Sequence, residues 1–178
     1  MNIEKWIIAH FSPTGGTKKI DNAIAAGFQI PAVELDLTKA DSAVTLGEND
    51  ALMAVLPVYA GRVPQISLER LTALKGHGQK AVAVVVYGNR EYEDALLETR
   101  DALEANGFRV IAAAAFIAEH SIVRSIASHT NNDLCINCMR CVQVCPVSSR
   151  ALPDAFLTMI TQMLNEHAAG YKRPVVFL

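Results

Sequence analysis

Three runs, 5–11 (KWIIAHF), 51–59 (ALMAVLPVY) and 81–87 (AVAVVVY), are apolar almost without interruption. A strand with one wet face alternates polar and apolar residues, so runs of this kind demand cover on both faces, the condition of a parallel sheet. Residues 81–87 hold four valines among seven residues, which marks a central strand. Helical patterns separate the runs. Ile20, Ile24 and Phe28 recur every four residues over 17–28, with Lys18, Lys19, Asp21 and Asn22 expected on the opposite, wet face. Ile66, Leu68, Leu71 and Leu74 mark 65–75, and Ala95, Leu96 and Leu103 mark 92–106. Gly27, Pro31, Gly76-His77-Gly78 and Gly107 punctuate these helices. A shorter, less buried strand fits 32–37, and a fifth strand fits 109–118. Strands alternating with helices imply right-handed crossovers. The expected fold class is therefore α/β, a three-layer sandwich around a five-stranded parallel sheet, with Trp6 inside its core.

In such a sheet, ligands bind beyond the carboxyl ends of the strands, near the point where strand order reverses. Three loops leave carboxyl ends here. The first, Ser12-Pro13-Thr14-Gly15-Gly16-Thr17, joins a strand to a helix. Backbone amides and the positive end of a helix dipole converge at such a junction and suit a phosphate. Gly15 and Gly16 permit close approach, and Ser12, Thr14 and Thr17 add hydroxyl donors. The loop lacks the Walker A and three-glycine dinucleotide patterns, which favours a mononucleotide. The same residues also suit a capped helix with no ligand. In the other two loops an aromatic lies beside a glycine, Tyr59 with Gly61 and Gly88 with Tyr92. Two such loops can sandwich a flat ring, so the three together suggest FMN. Packing of loop ends is the competing role for both tyrosines.

These loops resemble those of flavodoxins, and the resemblance covers roughly residues 3–128. It implies that Ser12, Thr14, Gly15, Gly16 and Thr17 hold the FMN phosphate. It also implies that Pro57, Val58, Tyr59, Ala60, Gly61 and Arg62, together with Gly88, Asn89 and Tyr92, line the isoalloxazine. His120 either approaches the ring or serves as a surface or capping residue.

All 4 cysteines lie in Cys135-Ile136-Asn137-Cys138-Met139-Arg140-Cys141-Val142-Gln143-Val144-Cys145-Pro146. They sit too close together to staple distant segments with disulfides. Spacings of two, two and three residues closed by proline match the bacterial ferredoxin run for a [4Fe-4S] cluster. Zinc or free thiols are the alternatives, although structural zinc usually takes two pairs on separate loops. With the first half, this run resembles the flavodoxin–ferredoxin fusion proteins. Those normally carry two cysteine runs; this chain has one, with Met139 where a glycine commonly follows the second cysteine. In two-cluster ferredoxins the fourth cysteine serves the other cluster. Cys145 therefore has three fates: it joins Cys135, Cys138 and Cys141 on one cluster, it crosses to the partner's cluster in a homodimer, or the site is vestigial or labile.

The organisation expected is a flavodoxin-like FMN-binding domain over 1–130 and an iron-sulfur-type segment with a C-terminal helix and tail over 131–178. That helix opens near Leu152-Pro153-Asp154 and carries Phe156, Ile160, Met163, Leu164 and His167 on one stripe, to cover the cluster loop, the flavodoxin body or a second copy. The apolar end Val175-Val176-Phe177-Leu178 is expected to dock. A net charge of −2 without any basic run gives no argument for nucleic acid or membrane, and the amino terminus lacks a signal-peptide pattern, so a cytoplasmic protein is expected. No nucleophile or triad is evident. The expected function is single-electron transfer between redox partner proteins through FMN and a [4Fe-4S] cluster. A flavin-dependent reductase of a small molecule, or a redox-responsive protein with an empty cysteine site, are the other readings.

Overall fold

A computed structural model of the chain describes residues 3–39, 44–88, 91–118, 154–167 and 175–177. The elements follow in the order β1 (Lys5–His10), α1 (Gly16–Ala25), β2 (Ala32–Asp36), β3 (Asp50–Pro57), α2 (Gln65–Leu71), β4 (Lys80–Tyr87), α3 (Ala95–Ala105), β5 (Arg109–Ile117), α4 (Asp154–His167) and β6 (Val175–Phe177). The sheet order is β2-β1-β3-β4-β5-β6. β1 pairs in parallel with both β2 and β3, and β3, β4 and β5 continue in parallel. The five expected parallel strands are thus present, and a sixth, antiparallel strand extends them at the β5 edge.

Burial on both faces is what the apolar runs required. Every residue of β3 is buried. Its alternate side chains serve two separate cores. Leu52, Ala54 and Leu56 join Ile7, Ala9, Ala83, Val85, Leu71 and Leu103 on one face. Met53 and Val55 join Ile8, Val84 and Val86 on the other, covered by Ile20, Ile24 and Phe28 of α1 and the turn after it. Trp6 packs on this second core and stacks on Phe28 with ring centroids 5.0 Å apart. β2, at the opposite edge, is the most exposed of the five parallel strands, with only Leu35 buried, as its weaker pattern suggested.

At the amino ends of β4 and β5 two glycine turns interlock. Gly76 donates to the Asn106 carbonyl, and Gly78 donates to the Gly107 carbonyl, each at 2.8 Å. Gly107 has φ +86°, and a Cβ there would strike the Gly76 carbonyl, so only glycine fits. Helix α2 stops at Leu71 rather than continuing to 75, because the chain tightens into turns in which Ala73 and Leu74 bond to the carbonyls of Arg70 and Leu71.

β6 explains the apolar tail. Val175 pairs with Ala115 and Phe177 with Ala113, so the chain leaves the sheet at the carboxyl end of β5 and re-enters it beside that same end. Residues assigned by sequence to the second segment therefore complete the sheet of the first. No described helix is long and apolar enough to cross a membrane.

Two predictions test this packing. Leu52 is fully buried between β1 and β4, and Leu52→Ala should lower stability by about 3 kcal/mol, read as a fall in the urea midpoint at constant slope. Asp50 is buried; burial raises its pKa, but the Gly47 amide at 2.8 Å and the Lys5 ammonium at 2.9 Å outweigh this and hold it below the usual range. A folded pKa below the unfolded one contributes stability above roughly pH 4 that is lost as pH falls through the folded value. Asp50→Asn should therefore lose less stability than the parent chain on acidification from about pH 5 to pH 3, measured by thermal melts.

Candidate functional site

β1 lies between β2 and β3, so the chain turns to one side after β1 and to the other after β2, and a crevice opens at the carboxyl ends between them. The loop after β1 stands at that crevice. Gly15 takes φ +83° with no atom within 4 Å of the position a Cβ would occupy, and the space in front of Gly16 is bounded only by the Thr14 hydroxyl at 3.9 Å. The amides of Gly16 and Thr17 open α1, where no preceding carbonyl of the helix is available to them. Ser12 Oγ accepts the Lys18 amide at 2.8 Å, which fixes the loop against the helix and leaves the hydroxyl proton to donate. Ser12, Thr14, Gly15 and Gly16 are half-buried, whereas the Thr17 side chain is buried beneath the loop. An open cradle of amides and a hydroxyl at a helix start fits an anionic phosphate.

The second loop is a tight turn. Tyr59 and Arg62 exchange backbone hydrogen bonds of 2.9 and 3.2 Å across Ala60 and Gly61, whose φ values are +52° and +82°. Positive φ at both central residues is the geometry of a type I′ turn. The Val58 amide bonds to the Val86 carbonyl at 2.9 Å, tying the loop to β4. Glu98 of α3 grips its far side, accepting the Val63 amide at 3.0 Å and pairing with the Arg62 guanidinium at 2.6 Å. Arg62 also reaches Asp94 at 3.5 Å, so its side chain is engaged by α3 rather than turned along the loop. Pro57 is buried, and Val58 and Tyr59 are half-buried.

In the third loop Gly88 and Tyr92 are half-buried. The Tyr92 ring packs edge-on against buried Tyr87, with centroids 5.2 Å apart. Tyr92 thus packs against the end of β4, half-buried at the mouth of the third loop. The Glu93 carboxylate lies directly over Gly61, where any Cβ would collide with it. Ala60 and Glu93 are the non-glycine residues of positive φ among those described, and they belong to the two loops that face each other. Left-handed backbone of this kind concentrates at ligand sites. Asn89, His120 and the run Cys135, Cys138, Cys141 and Cys145 lie outside the described residues.

One cluster escaped the sequence reading. His10, Asp21, Glu34 and Asp36 converge behind the first loop, and Asp21, expected on the wet face of α1, is only 2% exposed. The signal was there: one imidazole ends a largely apolar strand, and a carboxylate follows 11 residues later, in the second turn of α1. Asp36 is held down in pKa: partial burial raises it, but hydrogen bonds from the Thr38 hydroxyl and amide, and His10 nearby, prevail.

The strand order 2-1-3-4-5, with ligand at the β1/β3 switch, is a known doubly wound arrangement, and solved structures match it. Bacillus cereus Flavodoxin 1 superposes with a TM-score of 0.51 at 15% identity, covering 66% of this chain and 87% of that one. A flavodoxin from the domain Archaea gives 0.50 at 19% identity, covering 78% and 94%. A Fusobacterium nucleatum flavodoxin mutant solved with flavin mononucleotide gives 0.50 at 16%, covering 69% and 79%. The fold is that of a flavodoxin. Residues 129–149 match the family described as 4Fe-4S binding domain, so a ferredoxin-type segment follows the flavodoxin fold. No curated protein matches the chain significantly.

The strained turn of this flavodoxin fold offers a direct test. Ala60→Gly should relieve the left-handed alanine and raise stability by about 0.5–1 kcal/mol, seen as a higher urea midpoint.

Proposed function

We propose that this chain is an electron-transfer protein that holds FMN at the β1/β3 switch and a [4Fe-4S] cluster on its cysteine run, and exchanges single electrons with partner proteins in the cytoplasm. The observation that carries the reading is the union, in one chain, of an open glycine and hydroxyl loop at the switch point with a sequence that matches 4Fe-4S binding domains. The segment bearing that sequence leaves and rejoins the sheet at the carboxyl end of β5, the end at which the three loops also lie.

FMN accepts two electrons and can release them singly, while a cubane cluster passes one at a time. The residues supply binding and positioning. In this reading the Gly16 and Thr17 amides and the Ser12 hydroxyl hold the phosphate, and the left-handed Gly15 keeps the cradle free of side chain. Glu98 and the Val86 carbonyl hold the 57–62 turn rigid, so that its amides present a fixed edge to the ring. The Glu93 carboxylate over Gly61 sets how closely the second and third loops approach. Four thiols at ferredoxin spacing are a donor set suited to iron and sulfide. A homodimer that exchanges Cys145 between two such runs is the form of this proposal in which the lone run builds a complete pair of clusters.

Anaerobically purified protein tests the reading through its absorbance spectrum, with flavin, iron and acid-labile sulfide assayed on the same sample. About one flavin and about four irons per chain are expected. Gly15→Val should remove flavin and retain iron, because valine resists φ +83°. Cys135→Ser and Cys145→Ser should lower iron and retain flavin. Flavin without iron, or full iron in either serine variant, overturns the two-cofactor reading. Rapid oxidation of a nicotinamide by the isolated protein would favour a reductase instead.

A further inference from the structure

The acidic cluster behind the first loop has no part in the proposed electron transfer. His10 ends β1 and is 1% exposed, and Asp21 of α1 is 2% exposed. His10 Nδ1 lies 2.8 Å from Asp21 Oδ2 and 3.7 Å from Glu34 Oε1. Despite that closeness, neither Nδ1 nor Oδ2 has a hydrogen-bond partner, so the alignment an N–H···O bond needs is absent. Two buried polar atoms left in this state are costly unless a third, positive group is shared between them.

We infer that His10 Nδ1, Asp21 and Glu34 form a binding site for a divalent transition-metal ion. At bond lengths of about 2.0–2.2 Å, neighbouring donors around a tetrahedral or octahedral ion stand roughly 2.8–3.6 Å apart. The Nδ1–Oδ2 separation falls in that range, and the three donor atoms lie within 4.8 Å of one another. Glu34, 44% exposed, is free to swing the last distance and provides the way in from solvent. On the other side of the ring, Asp36 Oδ1 faces Nε2 at 3.7 Å and is itself held by the Thr38 amide at 2.9 Å. A metal on Nδ1 puts the ring proton on Nε2, the side on which this carboxylate stands, as outer carboxylates do beside metal-bound histidines, although at 3.7 Å it makes no hydrogen bond here. One imidazole and two carboxylates without sulfur suit zinc or manganese rather than a thiophilic ion. The cation now beside the cluster is Lys18, whose ammonium touches Glu34 Oε1 at 2.6 Å. Three carboxylates face one ammonium and one imidazole, so the cluster stays negative even with the imidazole protonated. Bound metal would displace Lys18 toward solvent.

The site is independent of the flavin and cluster reading, and equilibrium dialysis of the full-length protein against zinc tests it. A saturable site of about one Zn2+ per chain is expected beyond any taken by the cysteines. Glu34→Gln should weaken it at least about tenfold. Lys18→Met should tighten it by roughly two- to fivefold, the strength of the exposed ion pair it removes. Both residues are half-exposed, so these variants keep the fold where His10 or Asp21 variants are liable to lose it; thermal melts verify this. Zinc held by the cysteine run responds to neither substitution. Absence of a saturable site sensitive to Glu34→Gln overturns the inference and assigns the buried pair to a shared proton.

Discussion

The pairing of β1 with β2 on one side and β3 on the other is the contact on which the rest depends. It makes β1 buried on both faces, and it places the reversal of strand order at the end of β1. Helices that follow β1 and β3 must then cover opposite faces, because right-handed crossovers run in opposite directions from that point. The two cores divide accordingly, α1 over Ile8, Met53 and Val84, and α2 and α3 over Ile7, Leu52 and Val85. A crevice between the first loops is a by-product of this topology, and chemistry collects there.

Rigidity around that crevice comes from polar contacts rather than from further hydrophobic burial. Glu98 joins the 57–62 turn to α3, and the Val86 carbonyl joins it to β4. Ser12 binds its loop to α1. The strain stored at Ala60 and Glu93 persists because these attachments over-determine the loop conformations.

The acidic cluster shows the opposite use of burial. His10 and Asp21 occupy positions at which apolar side chains would pack well, and a paired or metal-bound charge there is stabilising only when all its partners are present. Its place one turn behind the loop after β1 links the electrostatics of the two through Lys18, which bonds by its amide to Ser12 and by its ammonium to Glu34.

Much of this was legible in the sequence. Continuous apolar runs demanded two-sided burial and hence parallel strands; the glycine and hydroxyl residues marked the turn from β1 into α1; the cysteine spacing pointed to the segment that matches 4Fe-4S binding domains. These are local signals, set by neighbours within a few residues. The rest was decided by contacts across the chain. Tyr92 turned to Tyr87, and Arg62 turned to Glu98. Val175–Phe177 became a sixth strand, because β5 offered an unpaired edge that no local pattern announces. Asp21 read as a surface residue because helical periodicity reports which side of a helix is polar, not what stands opposite it. Only the tertiary structure brings His10 from the neighbouring strand to meet it.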